Sequence, residues 1–170
     1  MTEDSDAAAA VTRARGIGAA VIAALVALAS VNLWLGYRDH LLRSTQRMHQ
    51  QMIEAAQVGA VSLTTIDHEQ ADEDVRRILD ASTGSFRDDF AQRATGFADA
   101  ARKAQSKSVG TVAAAGLESV DGDVGRVLVA LTVMTSNRGV PERQPRAWRV
   151  RVTVVNADDA YKVSGVEFIP

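Results

Sequence analysis

The chain has 170 residues, a formal net charge of −2 and no cysteine. Disulfides, thiolate metal sites and cysteine nucleophiles are therefore excluded. There is no basic patch and only 5% of residues are aromatic, so nucleic acid is not an expected partner.

Residues 1–15 are small and acidic, then basic, without periodicity, and read as a flexible cytoplasmic tail. Gly16 to Leu35, GIGAAVIAALVALASVNLWL, follows with 20 residues and no charge. At about 1.5 Å per residue, such a helix spans the roughly 30 Å hydrocarbon core of a bilayer. Trp34, Tyr37 and Arg38 stand at its far end as an interfacial anchor. A transmembrane helix over residues 16–36 is the expectation. The main rival is a cleaved secretory signal, for which Ala27-Leu28-Ala29 supplies an A-x-A match. Signal peptides carry apolar regions of about 7–15 residues, and the longer run here favours a retained anchor. Ala19, Ala20, Ala23, Ala27 and Ser30 fall with Gly16 on one side of this helix, a candidate contact face for another membrane helix. The flanking charges leave the orientation open: Arg13 and Arg15 precede the span, and Arg38, Arg43 and Arg47 follow it.

Residues 37–170 fit one modest α+β domain, with helices over about 37–104 and strands over about 107–169. In the first helix Leu41, Thr45, Met48, Met52, Ala55 and Gly59 form an apolar stripe. Thr64 and Thr65 break it, and Asp67 with Gln70 has the spacing of a helix-capping pair. Ile66, Val75, Ile78 and Leu79 give the second helix its apolar face. Asp72–Arg76 and Glu73–Arg77 are spaced for i,i+4 pairing on its solvated side. Ser82-Thr83-Gly84 separates the second helix from a third, whose Phe86, Phe90, Phe97, Ala101 and Ala104 read as a core face.

From Lys107 the period falls to two, with Val109, Thr111, Ala113, Ala115 and Leu117 on one face. Asp121-Gly122 is a turn, Arg126–Ser136 a central strand, and Asn137–Pro145 a loop by its Gly139, Pro141 and Pro145. Trp148, Val150, Val152 and Val154 then alternate with Arg149, Arg151 and Thr153. After a turn at Asn156–Asp159, Tyr161 and Val163 are out of phase with Val166 and Phe168, which marks a bulge near Ser164-Gly165. Three helices packed on a curved four-stranded antiparallel sheet is the expected architecture.

No catalytic constellation emerges. His40, His49 and His68 are scattered, and His68-Glu69 lacks the second histidine of a zinc helix. No nucleophile elbow, phosphate-binding loop or dinucleotide fingerprint occurs, and the Asp72–Asp74 and Asp88-Asp89 clusters lack calcium-loop spacing. The reading is a protein that is not an enzyme, with no cofactor and no metal site.

Leu63-Thr64-Thr65-Ile66-Asp67, followed by Asp74, Val75, Ile78, Leu79, Asp80, Thr83, Gly84, Phe86 and Phe90, resembles the Mce-associated membrane proteins of actinobacteria. The ending Tyr161-Lys162-Val163-Ser164-Gly165-Val166-Glu167 fits the same pattern, and the resemblance covers roughly residues 20–170. It implies a VirB8-like, NTF2-like domain behind one inner-membrane helix, with a cytoplasmic N-terminus and the domain in the periplasm-like cell-wall space. The implied function is a non-enzymatic accessory or stabilising subunit of an Mce-type importer of sterols or fatty acids. Its implied partners are the bilayer, Mce complex subunits and a homo- or hetero-oligomeric neighbour. Thr64, Asp67, Leu79, Thr83, Gly84, Phe86 and Phe90 are then fold positions: caps, a break and a core. The alternatives are a VirB8-like scaffold of a secretion system and an NTF2-like small-ligand binder or enzyme.

Overall fold

A computed structural model describes Leu28, Ser30, Trp34 and residues 44–169. The expected span over residues 16–36 lies outside the described residues apart from Leu28, Ser30 and Trp34, which are helical and exposed. Among the described residues no helix is long and apolar enough to cross a membrane. The chain divides into two compact units, Met1–Gln46 and Arg47–Pro170.

The second unit is α+β. Helix α1 covers residues 44–64 and enters this unit at Arg47. It is followed by β1 (Ile66–Asp67), α2 (Ala71–Asp80), α3 (Gly84–Ala104), β2 (Lys107–Asp121), β3 (Val124–Asn137), β4 (Val140–Ala157) and β5 (Ala160–Ile169). The sheet has five antiparallel strands in sequential order, one more than the sequence suggests. The extra strand, β1, is two residues long and pairs only with Lys107 and Ser108, too short for periodicity to register.

Strand β3 is central, and its alternation is clean. Val127, Val129, Leu131 and Val133 are at most 2% exposed and lie opposite β4 in the pairs Val127↔Val152, Val129↔Val150, Leu131↔Trp148 and Val133↔Arg146. Burying each such aliphatic side chain is worth about 1.5–3 kcal/mol. The covering helix is α1, which buries Met52, Ala56, Gly59 and Ala60. Its buried stripe is thus turned slightly from the expected one: Ala55 is half-buried and Thr45 exposed. Close approach sets this rotation. A Cβ on Gly59 would collide with Val163 of β5, and one on Gly125 would lie 2.7 Å from the Met52 sulfur. A second cluster of Ile66, Ala71, Val75, Ile78, Ala98 and Ala101 joins α2 to α3.

Two further expectations on the strands need correction, and a third holds. Asn137–Pro145 is not a loop: only Arg138-Gly139 turns, and β4 already runs from Val140 through Pro141 and Pro145. Pairs Met134↔Pro145 and Thr135↔Gln144 extend the ladder there. The face assigned to β2 switches midway. Register shifts at Val112/Ala114 and Leu117/Ser119 leave Val109, Thr111 and Ala113 exposed while Ala115 and Leu117 turn inward. In the last hairpin the bulge lies at Ser164, between the pairs Thr153↔Gly165 and Val154↔Val163, as the phase change suggested. Its turn places Asp158 and Asp159 at φ 55° and 63°, the left-handed pair that a two-residue hairpin requires.

Candidate functional site

The described surface offers two neighbouring features with chemical character: an aromatic groove and a polar corner. The groove is formed where α3 lies against β5. Phe86, Phe90 and Phe97 line, with Val166 and Phe168, a cavity of about 350 Å³ that Leu63 of α1, Asp89 and Arg93 also line. Phe90 and Phe97 meet edge to face, with centroids 5.6 Å apart. The three α3 phenylalanines are half-buried, so the face read as core is the wall of an open groove. Of that face Ala101 is buried and Ala104 exposed. Spacing places side chains on one face of a helix without saying how closely the opposite wall approaches.

Leu63 also lines a second cavity of about 360 Å³, with Thr64, Ser108, Val133, Thr135, Asn137, Arg146 and Trp148. Trp148 touches Phe168 edge to face at 5.4 Å, so the two cavities meet at this pair and at Leu63. Phe168 remains 64% exposed and Trp148 36%. Leu63, Arg146, Trp148 and Phe168 were not candidate site residues from sequence. The register Leu131↔Trp148 and Val150↔Phe168, which brings both rings to the inner face of the sheet, arises from long-range pairing.

The polar corner gathers α1, β1, α2 and β2. The Asp74 carboxylate is buried and accepts the Asp67 N–H at 2.6 Å and the Arg77 guanidinium at 2.6 Å. Arg77 also donates to the Thr65 carbonyl at 3.0 Å. Asp67 accepts Lys107 Nζ at 2.6 Å and the Glu69 N–H at 3.1 Å, and the Lys107 ammonium is the main reason its carboxyl lies below the usual range. Asp67 is therefore not a helix cap. Gln70 occupies the N-cap position of α2 without a side-chain cap bond, because Asp67 is held in β1 by Lys107. The expected i,i+4 ion pairs are likewise replaced: Arg77 pairs with Asp74, Arg76 lies 4.0 Å from Glu73, and Asp72 reaches Arg102 of α3 at 2.5 Å.

The other motif positions support the fold. Thr64 caps nothing: its hydroxyl donates back to the Ala60 carbonyl at 2.7 Å, in the last turn of α1. Leu79 packs half-buried on the second core cluster. Thr83 sits at the N-cap of α3 without a side-chain bond, while its N–H donates to the Val163 carbonyl at 2.8 Å and ties the helix start to β5. Gly84 opens α3 at φ 59°. On the opposite face of the sheet Arg151 bridges Glu118 at 2.6 Å and Glu167 at 2.7 Å, and holds Glu118 below its ordinary pKa. The basic face of β4 is thus partly neutralised within the sheet. Among the described residues no cluster of three or more His, Asp or Glu could hold a metal; His49 and His68 stand apart, and His40 lies outside them. Ala19, Ala20, Ala23 and Ala27 also lie outside the described residues, and Ser30 is helical and exposed.

The helices in series and the sequential antiparallel sheet give an α+β domain with a VirB8-like, NTF2-like fold. An IcmL-like type IV secretion system protein from Legionella pneumophila superposes with a TM-score of 0.57 at 13% identity, over 71% of this chain and 91% of that one. CagV, a VirB8 homologue of the type IV secretion system of Helicobacter pylori, gives 0.55 at 10% identity, over 70% and 96%. At such identities the likeness concerns the fold alone.

The chain belongs to the family described as "Uncharacterized protein Rv1363c/MT1408-like", whose model matches residues 10–170. The protein Rv1363c of Mycobacterium tuberculosis is 35% identical over 152 residues, 89% of this chain. The chain spans 58% of that relative's length.

Proposed function

We propose that the chain is a non-enzymatic, membrane-anchored accessory subunit that stabilises an Mce-type importer of sterols or fatty acids. The observation that carries this reading is an uncharged 20-residue segment placed directly before an α+β domain. In that domain the strongest carboxylate–cation contacts are internal: Asp74 with Arg77, Asp67 with Lys107, and Glu118 with Arg151. Tethering raises the effective concentration of such a domain next to a membrane complex without any new contact. The support for the Mce assignment is the motif from Leu63 to Phe90, which resembles that of Mce-associated proteins. In this reading the N-terminus is cytoplasmic, residues 16–36 span the inner membrane, and Ala19, Ala20, Ala23, Ala27 and Ser30 face a partner helix.

A second reading, a VirB8-like scaffold of a secretion machine, is favoured by the fold likeness to the IcmL-like protein and CagV. One experiment separates the two. The tagged full chain is solubilised from its host membranes in mild detergent, and its co-purifying proteins are identified. Recovery of importer subunits, reduced by the double substitution Ala23→Leu and Ala27→Leu, supports the first reading. Repeated recovery of secretion components in their place establishes the second.

A further inference from the structure

The chain has four phenylalanines, and all four, Phe86, Phe90, Phe97 and Phe168, line the one groove between α3 and β5. Among the described residues no aromatic side chain is fully buried; the core is built from Val, Ala, Ile, Leu and Met. A small domain ordinarily places its phenylalanines in the core, where each contributes the most. Here they wall an open slot whose only polar lining residues are Asp89 and Arg93.

The adjoining cavity has the opposite character. Its one charged lining residue is Arg146, which has no ion pair among the described residues. Asn137 lines the same cavity with its Oδ1 occupied by the Gly139 and Val140 N–H groups, both at 2.9 Å, so its amide NH₂ is left as a donor. Ser108 and Thr135 add hydroxyls. Each cavity, at about 350 and 360 Å³, falls within the range of about 300–1,000 Å³ usual for small-molecule sites. Polarity also fixes a direction. Asp89 lines the groove and disfavours an anion there, although Arg93 beside it donates from Nε to the Asp89 carbonyl at 3.1 Å.

We propose that this pair of cavities binds a single-chain anionic amphiphile, its alkyl chain along the phenylalanine groove and its carboxylate at Arg146, across the Trp148–Phe168 contact. The choice of a fatty-acid-like ligand rests on the proposed role beside a lipid importer. Arg146 and the Asn137 amide supply charge-assisted and neutral donors to the head group. The phenylalanine edges, Leu63 and Val166 supply the apolar wall.

The test uses the full chain carrying Trp34→Phe in phosphatidylcholine nanodiscs, which leaves Trp148 as the only tryptophan of the two. A dibrominated long-chain fatty acid is titrated while Trp148 fluorescence is read. Saturable quenching is expected. Arg146→Gln weakens the apparent affinity for the acid about tenfold and leaves that for its methyl ester unchanged. Phe168→Ser weakens both about fivefold or more, and because Phe168 is 64% exposed this change leaves the core intact. Quenching that rises linearly without a plateau, or an acid affinity indifferent to Arg146→Gln, overturns the proposal. Loss of this binding with importer subunits still co-purifying removes the ligand site alone. Binding without co-purification removes the importer role and keeps the site.

Discussion

Gly59 shows how one residue decides where a helix can lie. A Cβ at this position would collide with Val163, so α1 can cross β5 only on a glycine. Gly59→Ala should gain about 1 kcal/mol of helix propensity yet destabilise the protein by about 1–3 kcal/mol through overpacking; urea denaturation measures the sum, and a net gain would contradict the contact. Asp67 gives a pH signature. Its folded pKa lies below the ordinary 3.8, chiefly through Lys107, so the stabilisation is complete above the unfolded pKa and is lost as pH falls through about 4 toward the folded value. The wild type should therefore exceed Lys107→Met by at most about 1 kcal/mol at neutral pH, since solvent screens the pair. That gap should close in thermal melts as pH falls below the folded pKa of Asp67. None of this was legible at the residue scale. Asp67 three residues before Gln70 looks like a cap, and only the pairing Asp67↔Lys107 reveals its partner 40 positions away.

Elements were far more legible than their junctions. The 3.6-to-2 change of period at Lys107 coincides with the start of β2, and the phase slip near Ser164 with a real bulge. The break at Ser82–Gly84 falls between α2 and α3. Periodicity works there because each element buries one side. It failed at Pro141 and Pro145, which continue β4, and in β2, where two bulges change which face looks inward. The junction between α1, β1 and α2 rests on Asp74, whose side chain is 4% exposed and whose partner Arg77 is itself 44% exposed. Arg77→Met strands that carboxylate with the Asp67 N–H as its remaining donor, and should cost about 2–3 kcal/mol. Amide hydrogen exchange should then quicken first at β1 and the start of α2. Uniform loss of protection across the sheet would contradict a local role.

The second unit, as described, is an α+β domain whose ion pairs serve its own stability and whose phenylalanines line an open groove. The class of fold was legible because helices precede a meander of strands. The groove was only half legible: Phe86, Phe90 and Phe97 stand out by spacing, whereas Trp148, Phe168 and Arg146 join them through strand register. The proposed span over residues 16–36 predicts retention by the bilayer at this scale. Full-length protein should stay with membranes through a high-salt wash and leave them only in detergent; release by salt alone would contradict the anchor. The importer role predicts a dependence inside the cell. The most direct measurement is the steady-state amount of Mce complex subunits, with uptake of a labelled sterol or fatty acid, in host cells lacking this protein. Both should fall several-fold and recover with the full chain. Unchanged subunit levels together with unchanged uptake would contradict the account.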